Sequence, residues 1–215
     1  MWQYLNEFHK VALLLLVGIS FLYGAAFLAN PFQQADAVAF YRAIHQYRVR
    51  YWRMNLLHTL AILALIGGFG LLARQTWHAN QPLTILGLGL LAVAALLWLL
   101  EFGLRLTATT TTATLVFTGT KPPATFPYNI GAGFDYVFLA FLSCFLVGMA
   151  ALIGSLGDAG MISPFMTRLG IIILIASGVY NMREYRWLGG VERVLFYPIA
   201  SVTVPLGLWF LMYSS

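Results

Sequence analysis

Glu101 and Arg105 stand four residues apart inside an otherwise apolar run. At that spacing on a helix a carboxylate and a guanidinium share one face, within ion-pair reach. An ionisable group inside an apolar span is costly, and it faces a bundle interior or a polar cavity. The competing reading is an interfacial pair that snorkels to the headgroups and sets helix depth. His58 lies one turn into a second apolar run, four residues before Ile62. A neutral imidazole there could ligate a metal or haem, move a proton, or pack with a single hydrogen bond. Asp135 follows Gly131-Ala132-Gly133 and opens a third run. Capping is the competing role for it, because an acid near a helix N-terminus complements the dipole. Asn181, with Arg183 and Glu184, closes a fourth run, and Glu192-Arg193 opens the last.

These groups allow some chemistries and disfavour others. Catalytic zinc takes three protein ligands; His58, Glu101 and Asp135 supply three donors on paper, without a spacing motif to support them. A bis-histidine haem needs a second deep histidine, whereas His9, His45 and His78 fall outside or at the edges of the apolar runs. No Walker loop, dinucleotide fingerprint or H-E-x-x-H helix occurs. The only lysines are Lys10 and Lys121, which disfavours a retinal Schiff base. The single cysteine, Cys144, reads as a small core residue. The candidate ligand-binding set is therefore His58, Glu101, Arg105, Asp135 and Asn181, with no metal assigned and the cofactor left open.

The elements that must position this set are apolar helices. Hydrophobic residues are 60% of the 215-residue chain and charged residues only 9%, against roughly 25% charged in a soluble domain. Six apolar runs span about 11–29, 55–73, 83–104, 134–154, 165–182 and 194–213. Each approaches the roughly 20 residues a helix needs to cross hydrocarbon. Only helices or closed barrels satisfy the backbone there, and these runs lack the alternation of barrel strands. The expected fold is an all-α polytopic transmembrane bundle of about six spans in a single domain, 1–215. Run one has an apolar core at Leu13–Leu16 and small residues at Gly24-Ala25-Ala26, as a signal peptide does; its length and weakly charged N-terminal flank predict retention as a span. The fifth run is the least regular, because Arg168 interrupts its start.

The connections carry the polar residues. Gln33–Arg53 alternates Phe40, Tyr41, Tyr47, Tyr51 and Trp52 with Arg42, Arg48, Arg50 and Arg53. That pattern predicts an amphipathic helix in the headgroup plane between spans one and two, with a solvated helical lead-in to span two as the alternative. Thr107–Gly133 is the longest expected connection, and its threonines suit a weak helical extension, a loop or a channel lining. Gly18, Gly87 and Gly170 are candidate close-approach points, and Pro198 and Pro205 can kink span six. With an even number of spans, Lys10, Arg74 and Arg168 share one side and the other nine basic residues share the opposite side. The positive-inside rule places the nine in the cytoplasm and both termini outside. The net charge of +5 then reflects topology and anionic headgroups, not nucleic acid.

The run Arg53-Met54-Asn55-Leu56-Leu57, the stretch Leu146–Leu152, the turn Ile162-Ser163-Pro164-Phe165 and the ending Tyr197-Pro198-Ile199-Ala200 together resemble small bacterial six-helix membrane proteins of unknown function, the DUF4386 family. The turn Gly189–Arg193 is more similar to another six-helix family, DUF998. The resemblance implies six helices and supplies no functional residues. Without a catalytic signature, the preferred expectation is a non-enzymatic protein of the bacterial inner membrane. It would bind a lipophilic molecule or membrane lipid, or pack as an accessory subunit in a larger membrane complex. A small-solute or ion transporter is one alternative. A lipid-modifying enzyme using His58 with Glu101 or Asp135 is the other.

Overall fold

A computed structural model describes residues 6–32, 37–119, 126–184 and 191–212, with side chains for all of these except 37, 126–136, 177, 178, 180–184 and 191–198. The described residues form helices and no strand. They are α1 (Glu7–Ala29), α2 (Ala37–Gln46), α3 (Arg48–Thr76), α4 (Gln81–Leu104), α5 (Thr110–Phe117), α6 (Phe126–Asp158), α7 (Pro164–Glu184) and α8 (Val191–Met212). The four segments Glu7–Phe32, Arg48–Thr76, Gln81–Phe117 and Val137–Asp158 are each long and apolar enough to cross a membrane. The all-α membrane class expected from the composition is thus present.

The long helices close a ring. In cyclic order α1, α3, α4, α6, α7 and α8 each pack on the next, and α8 returns to α1. Chain neighbours are spatial neighbours, as short connections require. Phe69, Phe138, Phe141, Phe145, Leu65 and Phe210 fill the interior with no exposed surface. Lipid gives helices no hydrophobic reason to associate, so close packing must hold them. Gly87 shows how: a Cβ there would meet Leu152 Cγ at 2.7 Å and the Gly148 carbonyl oxygen at 3.1 Å. The α4–α6 crossing depends on that missing methyl. Gly18 does the same against Leu65 and Ala61 where α1 meets α3.

At two polar connections the structure follows a helical reading that the sequence left open. The expected long connection Thr107–Gly133 is largely helical. A π turn over Arg105–Thr109 joins α4 to α5, and helix resumes at Phe126. Threonine tolerates this because each hydroxyl bonds the carbonyl one turn back: Thr107 to Gly103 at 2.8 Å, Thr111 to Thr107 at 2.7 Å, Thr112 to Ala108 at 2.9 Å and Thr114 to Thr110 at 2.9 Å. The resulting helical stretch of 37 residues measures about 55 Å at ~1.5 Å per residue. A hydrocarbon core of roughly 30 Å cannot cover it.

The second is at Gln33–Arg53, where the helical lead-in to span two is present. Its last residues belong to α3, which starts at Arg48 rather than near Asn55. Helix α2 is a separate short helix packed mainly on α5. His45 stacks on Phe117 at 4.0 Å, and Ile44 and Ala43 join Ala25, Tyr51, Met54 and Ala113 in a second apolar cluster. Burial there pushes the Tyr41 phenol up from its ordinary value. Arg50 is not simply a topology signal. Its Nε donates to the Leu28 carbonyl at 3.0 Å and its Nη2 to the Phe27 carbonyl at 3.1 Å. These are end carbonyls of α1 that lack intrahelical partners, so a cation placed there caps the helix and complements its dipole. Proline does not break α8, which runs through positions 198 and 205.

Gly87→Ala and Gly89→Ala separate packing from propensity. Nothing lies within 4 Å of a Cβ at Gly89, so Gly89→Ala should be neutral or gain up to ~1 kcal/mol of helix propensity. Gly87→Ala should cost about 1–3 kcal/mol through overpacking. Thermal melts in one detergent measure both, and a stabilised Gly87→Ala would refute the close-approach account.

Candidate functional site

Two helical faces meet to form a polar cluster inside the ring. On α3, Tyr51, Asn55 and His58 recur at helical spacing and all are buried. On α4, buried Trp98 and Glu101 and half-buried Arg105 recur likewise across about two turns into the π turn. Helix α6 closes the third side with Phe138 and Phe141. Such spacing stacks side chains above one another on a helix, so each triplet forms a column rather than scattered groups.

The ion pair lies at the centre. Arg105 Nε donates to Glu101 Oε1 at 2.6 Å. The Glu101 side chain is 0% exposed and that of Arg105 16% exposed. This is not a pair that reaches out to headgroups: the acid is enclosed and only the base touches the surroundings. The guanidinium also sits over the Phe138 ring, 5.7 Å from its centroid, a favourable placement for a cation. Taking two charges out of water is costly, and only good geometry offsets that.

Around the pair runs a chain of hydrogen bonds. The Trp98 indole N–H donates to Thr59 Oγ1 at 3.1 Å, Thr59 donates to the Asn55 carbonyl at 3.0 Å, and Asn55 Nδ2 donates to the Tyr51 carbonyl at 2.9 Å. The Tyr51 phenol lies beside Thr109 and Asn55 and within electrostatic reach of Arg105 and Glu101. His58 packs edge-on to Trp98 with centroids 6.2 Å apart, within electrostatic reach of Arg105. Its Nδ1 is buried with no hydrogen-bond partner among the described residues. Buried polar atoms are usually satisfied, so this nitrogen marks a place where a polar group from elsewhere would be welcome. From Trp98 an aromatic seam continues along α6: Trp98 to Phe141 at 4.9 Å, then Phe141 to Phe145 at 5.6 Å.

His58, Glu101 and Arg105 are therefore brought together. The side chains of Asp135 and Asn181 lie outside the described residues, although their backbones belong to α6 and α7. Among the described residues no three His, Cys, Asp or Glu side chains gather to hold a metal ion. Tyr51 reads from the sequence as part of an interfacial helix, and Asn55, Thr59 and Trp98 carry no site role there, though a signal is present. Tyr51-x-x-x-Asn55-x-x-His58 is a polar column in an apolar run, and Trp98 sits one turn before Glu101.

A second polar group lies at the opposite end of the bundle. Thr84 Oγ1 pairs with Ser155 Oγ at 2.8 Å and with Thr76 Oγ1 at 3.3 Å, while Asn80 donates to Asp158 at 2.5 Å. These contacts tie the α3–α4 turn to the end of α6 and hold no buried charge.

No protein-family model matches the chain, and neither a curated protein nor a solved structure is similar to it.

Removing one member of the buried pair exposes its cost. Arg105→Met leaves the enclosed Glu101 carboxyl without its closest cation and should destabilise by about 3–5 kcal/mol. Adding Glu101→Gln to that variant should recover a large part, since the enclosed carboxylate is then gone. A double-mutant cycle of melting in detergent decides: additive losses would mean the pair is not coupled.

Proposed function

We propose that this chain is a six-span protein of the bacterial inner membrane that binds the polar end of a lipophilic molecule at the His58–Glu101–Arg105 cluster. The observation that carries this reading is the fully enclosed Glu101 bonded to Arg105 near a buried His58 Nδ1 that has no hydrogen-bond partner among the described residues. Ionisable groups inside a span are retained against a solvation penalty, and by default they mark a site. The cluster offers both charge signs and a hydrogen-bonding imidazole. The Trp98–Phe141–Phe145 seam continues from it as buried apolar packing through the core. A small polar head on a greasy body matches that division. Quinone-like, isoprenoid and acyl molecules all have this form, and the chemistry alone does not choose among them.

Supporting the six spans, α7 and α8 are 21 and 22 residues long and contain the apolar stretches Pro164–Ala176 and Ile199–Met212. Their place in the ring beside α6 and α1 gives them the same lipid surroundings as the four longer apolar helices. Helix α2, with Arg42 exposed and Ile44 buried, then lies along the headgroup plane. The basic excess at its end of the bundle puts that end in the cytoplasm.

Two measurements test these proposals. Protein purified in mild detergent and extracted with organic solvent should yield one lipophilic compound near equimolar amount by mass spectrometry. The double variant Glu101→Gln/Arg105→Gln should lose it by about tenfold or more, the loss expected for a charged hydrogen bond. A wild-type protein that carries nothing specific, or a folded double variant that still carries the compound, would sink the proposal. Separately, a reporter active only in the cytoplasm should be silent when fused to the C-terminus; activity there would reverse the orientation.

A further inference from the structure

A second site lies at the rim of the bundle, on the outer side of the α1–α3 junction. A groove of about 490 Å³ runs between the end of α1 and the start of α3, lined by Phe27, Leu28, Tyr47, Arg48, Arg50 and Arg53 among others. We infer that this groove binds the phosphate of an anionic glycerophospholipid, with the three arginines as the headgroup site and the end of α1 as the acyl wall.

The groove has two kinds of wall. Phe27 is 75% exposed at the end of an apolar span, where its natural surroundings are acyl chains. Arg48 and Arg53 are exposed on α3, on the same groove as Phe27. Arg50 lies between them and is already held: its bonds to the Phe27 and Leu28 carbonyls fix the guanidinium in place. A guanidinium carries five N–H donors in a rigid fork, and those two carbonyls use two of them. A preorganised fork suits a tetrahedral phosphate, which arginine binds bidentately. Tyr47 is at the N-cap of α3, so the positive end of a 29-residue helix adds to the same field. Exposed Trp52 and Tyr47 border the basic residues, as aromatic side chains do at headgroup depth.

A free phosphate ion would use the same donors but would gain nothing from Phe27 and Leu28. The lipid uses both walls, and for that reason it is the occupant assigned. The site does not depend on the ligand proposed for the interior cluster, since none of the groove residues belongs to that cluster.

The test uses the full-length, delipidated protein in a zwitterionic detergent, titrated with phosphatidylglycerol or phosphatidylcholine of matched chains and read by native mass spectrometry. Wild-type protein should retain phosphatidylglycerol preferentially. Each arginine near a membrane surface contributes about fivefold in affinity, so Arg48→Gln/Arg53→Gln should lower phosphatidylglycerol retention by roughly twenty-fivefold. Arg74→Gln/Arg168→Gln removes the same charge at the opposite end of the bundle and should change retention less than about twofold. Arg50 stays intact throughout because it caps α1. Three outcomes would each overturn the assignment: no preference between the two lipids, equal losses in both double variants, or displacement of the lipid by equimolar inorganic phosphate.

Discussion

Exclusion of water is the constraint on which this structure rests. Inside an apolar bundle of membrane-spanning length, few polar groups can turn to water, so nearly every described one finds its partner within the protein. The helices satisfy their backbones this way along their length, and the same demand governs their ends. Arg50 reaches back to the Phe27 and Leu28 carbonyls because the end of α1 would otherwise leave them bare. The threonines of α5 bond to carbonyls one turn back, which turns a polar stretch into helix. Thr76, Thr84 and Ser155 bond to one another between helices. Glu101 meets the demand in its severest form, a carboxylate with no exposed surface bonded to the base one turn on.

The same constraint explains what the sequence made legible. Where a residue's partner lies on its own helix, spacing alone reveals it: the Glu101–Arg105 pair follows from a four-residue interval and appears at 2.6 Å. The all-α membrane class follows equally directly from long apolar runs. Partners on other helices leave no such trace. Nothing in the sequence joins Trp98 to Thr59 across α3 and α4, or Arg50 to the end of α1. Periodic apolar faces cannot help, because in lipid both the core and the outer surface of a helix are greasy. Leu96 and Ile172 are exposed while Leu91 and Leu174 are buried, with no change of residue type to mark the difference.

The boundaries were harder to read for another reason. Threonine and arginine depress the apolar signal without breaking a helix, so α3 begins earlier and α4–α5 ends later than hydropathy suggests. At Thr107 the apolar run stops, although backbone hydrogen bonding continues. Charges at helix ends also have two uses that composition cannot separate. Arg50 caps a helix, while Arg48 and Arg53 stay available beside it; all three would count alike in a topology tally. The interior cluster and the rim groove accordingly use the same residue type for different tasks. One arginine pairs with an enclosed acid, and a set at the edge lines an exposed groove.

The π turn at Arg105–Thr109 gives the chain a surplus residue at one defined point. Elsewhere in a packed helix, deleting a residue rotates everything downstream by about 100° and scrambles its contacts. Here a deletion would repair the ladder locally but swing Ala113 away from the cluster it shares with Ile44 and Tyr51. The irregularity thus acts as a phase adjuster: it lets one continuous rod present an interior face to α6 in its first part and a different face to α2 in its last.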